Sequence, residues 1–298
     1  MSRNAKFSAL GSILIVLILG VVLLGRSRSV SPPVVTIPLA PTTSPIVTPS
    51  PTHTVIGLSV EGRSINAYTY GEGTTTLVFV GGMHGGYEWN SVLLAYEFMD
   101  YLDEHPQVIP VNMTIAIIPS ANPDGVYKVT KKVGRFTLAD VGDISKKPEG
   151  YGRFNAHDVD LNRNFDCKWQ AKSTWKGHAV SAGTKAFSEP ESTALRDFFL
   201  AQHPSGVIFW HSQANAVYAS ECKSGILPNT LLLMNTYAKA AGYSAVKSFD
   251  AYTVTGDAEG WLASVGVPAI TVELKTHQST EWDRNLLAIK ALLNHYRK

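Results

Sequence analysis

Four short apolar runs, "TTLVFVGG" (75–82), "MTIAIIP" (113–119), "GVIFWH" (206–211) and "AITVEL" (269–274), alternate with four segments of helical period. Those segments read "WNSVLLAYEFMDYLDE", "TALRDFFLAQ", "NTLLLMNTYAKAAG" and "TEWDRNLLAIKALLNHY". Apolar strands that alternate with helices must bury both faces, which a largely parallel sheet between helical layers does. The expected fold is therefore a single-domain three-layer α/β/α sandwich around a mixed, mostly parallel twisted sheet. A chain of 298 residues, 45% hydrophobic and 17% charged, can fill one core of that size. Ser188 and Glu191 in "SEPE" predict a capping box at the second helical segment.

The N-terminal part reads differently. Residues 1–6 carry Arg3 and Lys6, and the uncharged run Phe7–Leu24 that follows is long enough to cross a bilayer as a helix. Residues 7–25 are expected to be a transmembrane signal anchor, with cleavage of a signal peptide near Ser27–Ser29 as the alternative. Residues 26–54 are rich in Pro, Thr and Ser without period, the composition of an extended linker. Residues 55–298 form the expected globular domain. It would lie outside the cytoplasm, tethered by one span or, after cleavage, secreted. Cys167 and Cys222, without CxxC spacing, fit a disulfide in that setting, with two buried thiols as the alternative. The 26 basic and 24 acidic residues are mixed along the chain and leave a net charge of +2, so no nucleic-acid partner is implied.

Chemically capable residues fall at the C-terminal ends of the predicted strands. His84 follows "LVFVGG", Asn122–Gly125 follows "IAIIPSA", His211 ends "VIFW", and Glu273 lies at the end of "AITVEL". Open α/β sheets bind ligands along that edge. His84 and Glu88 in "GGMHGGYEWN" are candidate metal ligands that need a third donor, for which His211 is the candidate; its alternative is a core histidine bonded to a carbonyl.

"PSANPDG" (119–125), "GRFNAHDVDLNRNFD" (152–166), "FWHSQ" (209–213), "YTVTGDAEGW" (252–261) and "TVEL" (271–274) resemble, in order and approximate spacing, the zinc carboxypeptidases of the carboxypeptidase A type. The resemblance runs from about Gly57 to Tyr296. It implies that His84, Glu88 and His211 hold Zn²⁺, that Glu273 is the general base, and that Arg153 stabilises the oxyanion. It also implies that Asn162 and Arg163 clamp a substrate's terminal carboxylate while Tyr252 closes over the bound residue. Asp124 of "NPDG" is expected to bond a ligand imidazole from behind.

Two departures stand out. The family's H-x-x-E is here H-x-x-x-E, which loads the spacing onto glycines. Gly85, Gly86 and Tyr87 also stand where many digestive members carry an arginine. Glu259, with Asp257 close by, falls at the position that sets the pocket's charge preference. A carboxylate there favours a cationic C-terminal residue: lysine, arginine or the diaminopimelate of wall peptides. The stretch between Gly25 and Val55 is too short for a folded inhibitory pro-domain, and no β-sandwich domain is expected after the catalytic unit. The expected activity is removal of a C-terminal residue from peptides. The alternatives are a γ-D-glutamyl-diaminopimelate amidase or endopeptidase of cell-wall peptides, an N-acyl amino acid deacylase, and an inactive binding module.

Overall fold

The computed structural model describes residues 51–297. In chain order the first half comprises β1 (Thr52–Leu58), β2 (Ser64–Tyr70), β3 (Thr75–Val80), α1 (Trp89–Glu104), β4 (Met113–Ile118), α2 (Pro123–Thr130) and α3 (Leu138–Val141). Then come β5 (Lys172–Trp175), β6 (His178–Ser181), α4 (Pro190–Gln202), β7 (Gly206–Ser212), β8 (Ala216–Ala219), β9 (Glu221–Cys222) and β10 (Gly225–Ile226). The chain closes with α5 (Pro228–Ala241), β11 (Ser244–Val246), α6 (Ala258–Ser264), β12 (Ala269–Leu274) and α7 (Trp282–Tyr296).

Eight strands form one sheet in the order β1-β2-β4-β3-β7-β12-β8-β11. The four predicted strands are its parallel centre, β4-β3-β7-β12, and antiparallel pairings flank them. Alternation along these strands divides the core. Phe79, Ile208, Trp210, Ile270 and Val272 pack on the side of α1, α5 and α7. Val78, Val80, Val207, Phe209 and Ala269 pack on the side of α4 and α6. Each large side chain so buried contributes about 1.5–3 kcal/mol, and the two faces make the three layers.

Several expectations shift. The linker was expected to reach Thr54, yet Thr52–Thr54 already belong to β1, where their backbone pairs with Ala67–Thr69 of β2. α4 has Glu189 at its N-cap and no capping box, because the Glu191 carboxylate instead accepts from Val60 N at 3.1 Å and Asn155 Nδ2 at 3.1 Å. Residues 7–25 lie outside the described residues, and among the described residues no helix is long and apolar enough to cross a membrane.

Candidate metal centre and catalytic cleft

β3 delivers the first ligand. After Val80 the chain turns through Gly82, at φ +64°, where a Cβ would stand 2.7 Å from Val92 and 3.1 Å from the Ser120 backbone. His84 then caps a 3₁₀ turn, Gly85–Glu88. Gly85 has φ +50° and presses against Gly125 and Gly152, with no room for a side chain. This turn takes up the H-x-x-x-E spacing, since it brings Glu88 Oε1 to 2.8 Å from His84 Nδ1.

β7 delivers the second imidazole, and its register delivers the carboxylate beside it. In the parallel pairing of β12 with β7, Glu273 stands opposite His211, and both belong to the face that α6 covers because Trp210 and Val272 point to the other. His211 Nδ1 lies 3.0 Å from Glu88 Oε2 and 3.1 Å from His84 Nδ1.

The three ligand atoms of His84, Glu88 and His211 lie within 4.8 Å of one another, and all three residues are buried. Two imidazole nitrogens and a carboxylate that converge away from water are a donor set for zinc. The far nitrogens fit as well. His84 Nε2 and His211 Nε2 are buried without a close hydrogen bond, but Asp160 Oδ1 is 3.5 Å from the first and Glu259 Oε1 3.4 Å from the second. With Nδ1 on a metal, each Nε2–H faces a carboxylate, the arrangement that fixes a ligand imidazole's tautomer. Without the metal, burial opposes charge on His211, but Glu88 and Glu259 outweigh it and raise its pKa to about 10. Burial likewise opposes the Glu88 carboxylate, yet the two imidazoles hold its pKa well below the usual range.

Asp160 is the residue that sequence reading missed, and it corrects the role expected of Asp124. The Asp124 carboxylate is taken up by Ser59 Oγ at 2.6 Å, Glu61 N at 3.0 Å and Arg63 Nη1 at 2.6 Å, which tie α2 to the β1–β2 connection. Asn122 of the same motif caps α2 through Gly125 N and donates to Arg153 O at 3.0 Å, so "NPDG" is a structural brace. Asp160 instead sits behind His84 and accepts from Arg153 Nε at 3.1 Å and Nη2 at 2.8 Å. Burial would raise its pKa, but Arg153 and Arg163 hold it far below the carboxylate range. The only local mark is the turn in "DLN", where Asp160 Oδ1 accepts from Asn162 N at 3.1 Å, and that turn carries no sign of His84.

The remaining candidates line one cavity of about 590 Å³ that also contains the ligand trio. Arg153, 2% exposed, brings Nη1 to 3.7 Å from Glu88. Arg163 spends donors on Thr174 O and Asn162 O, while Asn162 Oδ1 accepts from Ala258 N at 2.9 Å, so the expected clamp is rigidly seated. Tyr252 packs on Phe249 with ring centroids 4.8 Å apart. Glu259, 2% exposed, accepts from Thr271 Oγ1 at 3.0 Å besides facing His211; Asp257 caps α6 through Gly260 N at 2.7 Å. Burial and the charge of Glu259 push Asp257 up to about 6. Glu273 Oε2 is inaccessible and has no hydrogen-bond partner. Burial and the charge of Glu88 push Glu273 up to about 8, and a cation among the ligands opposes that rise. Of the histidines flanking motifs, His277 lines the cavity, whereas His157 is half exposed and bonds Glu189 Oε2 at 2.7 Å. Cys167 and Cys222 form the expected disulfide.

A site that could hold a metal beside a carboxylate, at the C-terminal edge of an α/β sheet, has the parts that a metal-dependent hydrolase needs. The chain belongs to the zinc carboxypeptidase family, whose sequence profile matches residues 47–285. Among curated proteins it is 23% identical over 241 residues to gamma-D-glutamyl-L-diamino acid endopeptidase 1 of Lysinibacillus sphaericus, covering 74% of this chain and 60% of that one. It is 29% identical over 192 residues to carboxypeptidase B of Helicoverpa zea, covering 56% of this chain and 42% of that one. The chain thus spans 60% or less of the length of these two relatives. Bovine thrombin-activatable fibrinolysis inhibitor superposes with a TM-score of 0.64 at 20% identity, covering 83% of this chain and 90% of that one. The murein-tripeptide amidase MpaA of Escherichia coli O157 gives 0.59 at 20% identity, covering 83% and 94%. These two likenesses are of fold.

Proposed function

We propose that the protein is a metallocarboxypeptidase that removes a C-terminal residue with a cationic side chain from peptides. The observation that carries this reading is the partnerless Glu273 Oε2 beside the His84–Glu88–His211 trio, in a cavity that also presents Asn162 and Arg163. When bound, zinc supplies a Lewis acid that polarises the scissile carbonyl and lowers the pKa of water. Asn162 and the free N–H groups of Arg163 hold the terminal carboxylate, for which a planar fork is suited. Arg153, pinned by Asp160, aims its Nη1 donors at the developing oxyanion. Glu273 takes the proton of the attacking water at Oε2 and passes it to the leaving nitrogen. Tyr252 covers the released residue. The basic preference is supported by Glu259, which burial disfavours as a charge but His211 keeps ionised, and by Asp257 and Glu221 in the same cavity.

A second reading shares this pocket. Diaminopimelate also presents an amine, and similarity to a γ-D-glutamyl endopeptidase favours a wall-peptide substrate cleaved by the same groups. The disulfide Cys167–Cys222 supports a catalytic domain outside the reducing cytoplasm, and the run Phe7–Leu24 supports a tether there.

The test is hydrolysis by the zinc-loaded full chain of peptides ending in Lys, Phe or Glu and of a γ-D-glutamyl-diaminopimelate peptide. Release of one residue, abolished by chelator and lowered about 10²–10⁴-fold by Glu273→Gln, is expected. Faster cleavage of the Phe or Glu end than of the Lys end would refute the basic preference.

A further inference from the structure

The cleft has a second wall. β5 and β6 pair antiparallel through Trp175 and His178, joined by Lys176 and Gly177 at φ 50° and 80°, the backbone of a two-residue hairpin turn. The hairpin buries Trp175 against Arg153, whose guanidinium carbon is 4.5 Å from the ring centroid, and leaves Lys176 about half exposed at the cavity. Tyr87, next to the ligand Glu88, meets Trp175 edge-on at 5.4 Å and His277 at 4.7 Å. Lys176 Nζ stands 3.3 Å from the Tyr87 hydroxyl. His277 is fixed through Ser212 Oγ at 2.6 Å, and Asn90 Nδ2 braces its loop by donating to Thr276 O and Ser279 O.

Arg153 neighbours both walls: Trp175 on one side and, on the other, Asp160, which leads into Asn162 and Arg163. A peptide with its terminal carboxylate on Asn162 and Arg163 and its scissile carbonyl at Arg153 therefore lays its remaining residues along the hairpin wall. We propose that Tyr87, Trp175, Lys176 and His277 form a subsite for the residue on the acyl side of the cleaved bond, and that it takes a residue carrying a free carboxylate, with Lys176 as counter-ion. This rests on the carboxypeptidase reading above.

The half-buried Tyr87 ring, backed by Trp175, receives the aliphatic stem, and the Lys176 ammonium and Tyr87 hydroxyl meet the anion. Lys176 now pairs with Glu149 Oε1 at 3.0 Å, both side chains about half exposed. Exposed pairs of this kind hold each other weakly, so a substrate carboxylate can exchange with Glu149. An α-linked glutamyl residue and a γ-linked one with its α-carboxylate free present the same anion at different reach.

The experiment uses the zinc-loaded full chain and three peptides ending in the same residue, preceded by glutamine, α-linked glutamate or γ-linked glutamate. The readout is the ratio of kcat/KM for each glutamyl peptide to the glutaminyl one. The wild type is expected to prefer a glutamyl peptide about fivefold, fading in high salt. Which linkage is preferred identifies the natural anion. Lys176→Gln should bring the ratio to about one and Lys176→Glu should invert it, while Lys290→Gln on the exposed side of α7 keeps it. An unchanged ratio in Lys176→Gln overturns the subsite. The same ratio is read in binding by calorimetry with Glu273→Gln, which keeps the metal ligands. If no peptide is cleaved but the binding ratio follows Lys176, the carboxypeptidase reading fails and the subsite stands. If cleavage proceeds and neither ratio depends on Lys176, the subsite fails alone.

Discussion

Asp160→Asn should loosen zinc while Asp124→Asn should not. Asp160 is fully buried and accepts two bonds from Arg153 and one from Asn162 N, with His84 Nε2 at 3.5 Å. An asparagine keeps one acceptor but turns an NH₂ toward either the guanidinium or the imidazole, so one buried donor meets another. Loss of a carboxylate behind a ligand imidazole weakens metal affinity about 10–100-fold, which is about 1.4–2.7 kcal/mol. Leaving Arg153 partly unpaired in the interior adds about 3 kcal/mol of global destabilisation. Asp124→Asn disturbs Ser59, Glu61 N and Arg63 instead. It should lower the melting temperature while holding zinc affinity within about threefold, since its bonds reach no ligand. Competition for zinc against a chromogenic chelator, run beside thermal unfolding of the same samples, separates the two effects. Equal loosening of zinc by both variants would refute the assignment of Asp160 as the partner of His84.

Breaking the Cys167–Cys222 bond, across a sequence separation of 55, should cost at most about 4 kcal/mol of stability from chain entropy. Calorimetry of a Cys167→Ser/Cys222→Ser variant should then show a melting temperature lower by roughly 10 °C. Glu97 of α1 has a buried Oε2 without a partner, and burial followed by the charges of Asp100 and Asp283 outweighs the Thr280 hydroxyl and raises its pKa. An acid whose folded pKa is raised loses stability as pH climbs from its unfolded value to its folded one, and the loss then stays constant. Glu97→Gln should therefore be neutral near pH 3 and stabilising at pH 7, as denaturant titrations at the two pH values would show. Glu259→Gln should lower the preference for a cationic C-terminal residue about tenfold and also weaken zinc severalfold; a change in preference with zinc affinity untouched would contradict its contact with His211.

What the sequence made legible follows from how locally each feature is encoded. The four central strands announce themselves because burial on both faces forces continuous apolar runs such as "LVFV" and "VIFW", and the register of β12 on β7 then puts Glu273 beside His211. The edge strands carry weaker marks. β2, "SINAYTY", alternates only where Ile65 and Ala67 point inward, and β11 has three residues. Asp160 and the Trp175 hairpin were hidden for another reason. Both lie in the long connection between α3 and α4, where neighbours are set by tertiary approach, so neither periodicity nor propensity could rank Asp160 above Asp124 or show Trp175 against Arg153.

Glu259 shows why residue roles read one at a time from a motif stay incomplete. The proposed pocket needs a buried negative charge, and an isolated buried carboxylate would protonate. His211 resolves that difficulty, because its Nε2, 3.4 Å away, and the Thr271 hydroxyl keep Glu259 ionised against burial. Neighbouring Asp257 has no such support; burial and the charge of Glu259 push it up to about 6, and its oxygens cap α6. The charge that would select a cationic side chain is thus the one that orients a metal-ligand imidazole. On the proposed reading, Glu259 links substrate preference to metal hold, since the same carboxylate faces both the pocket and His211.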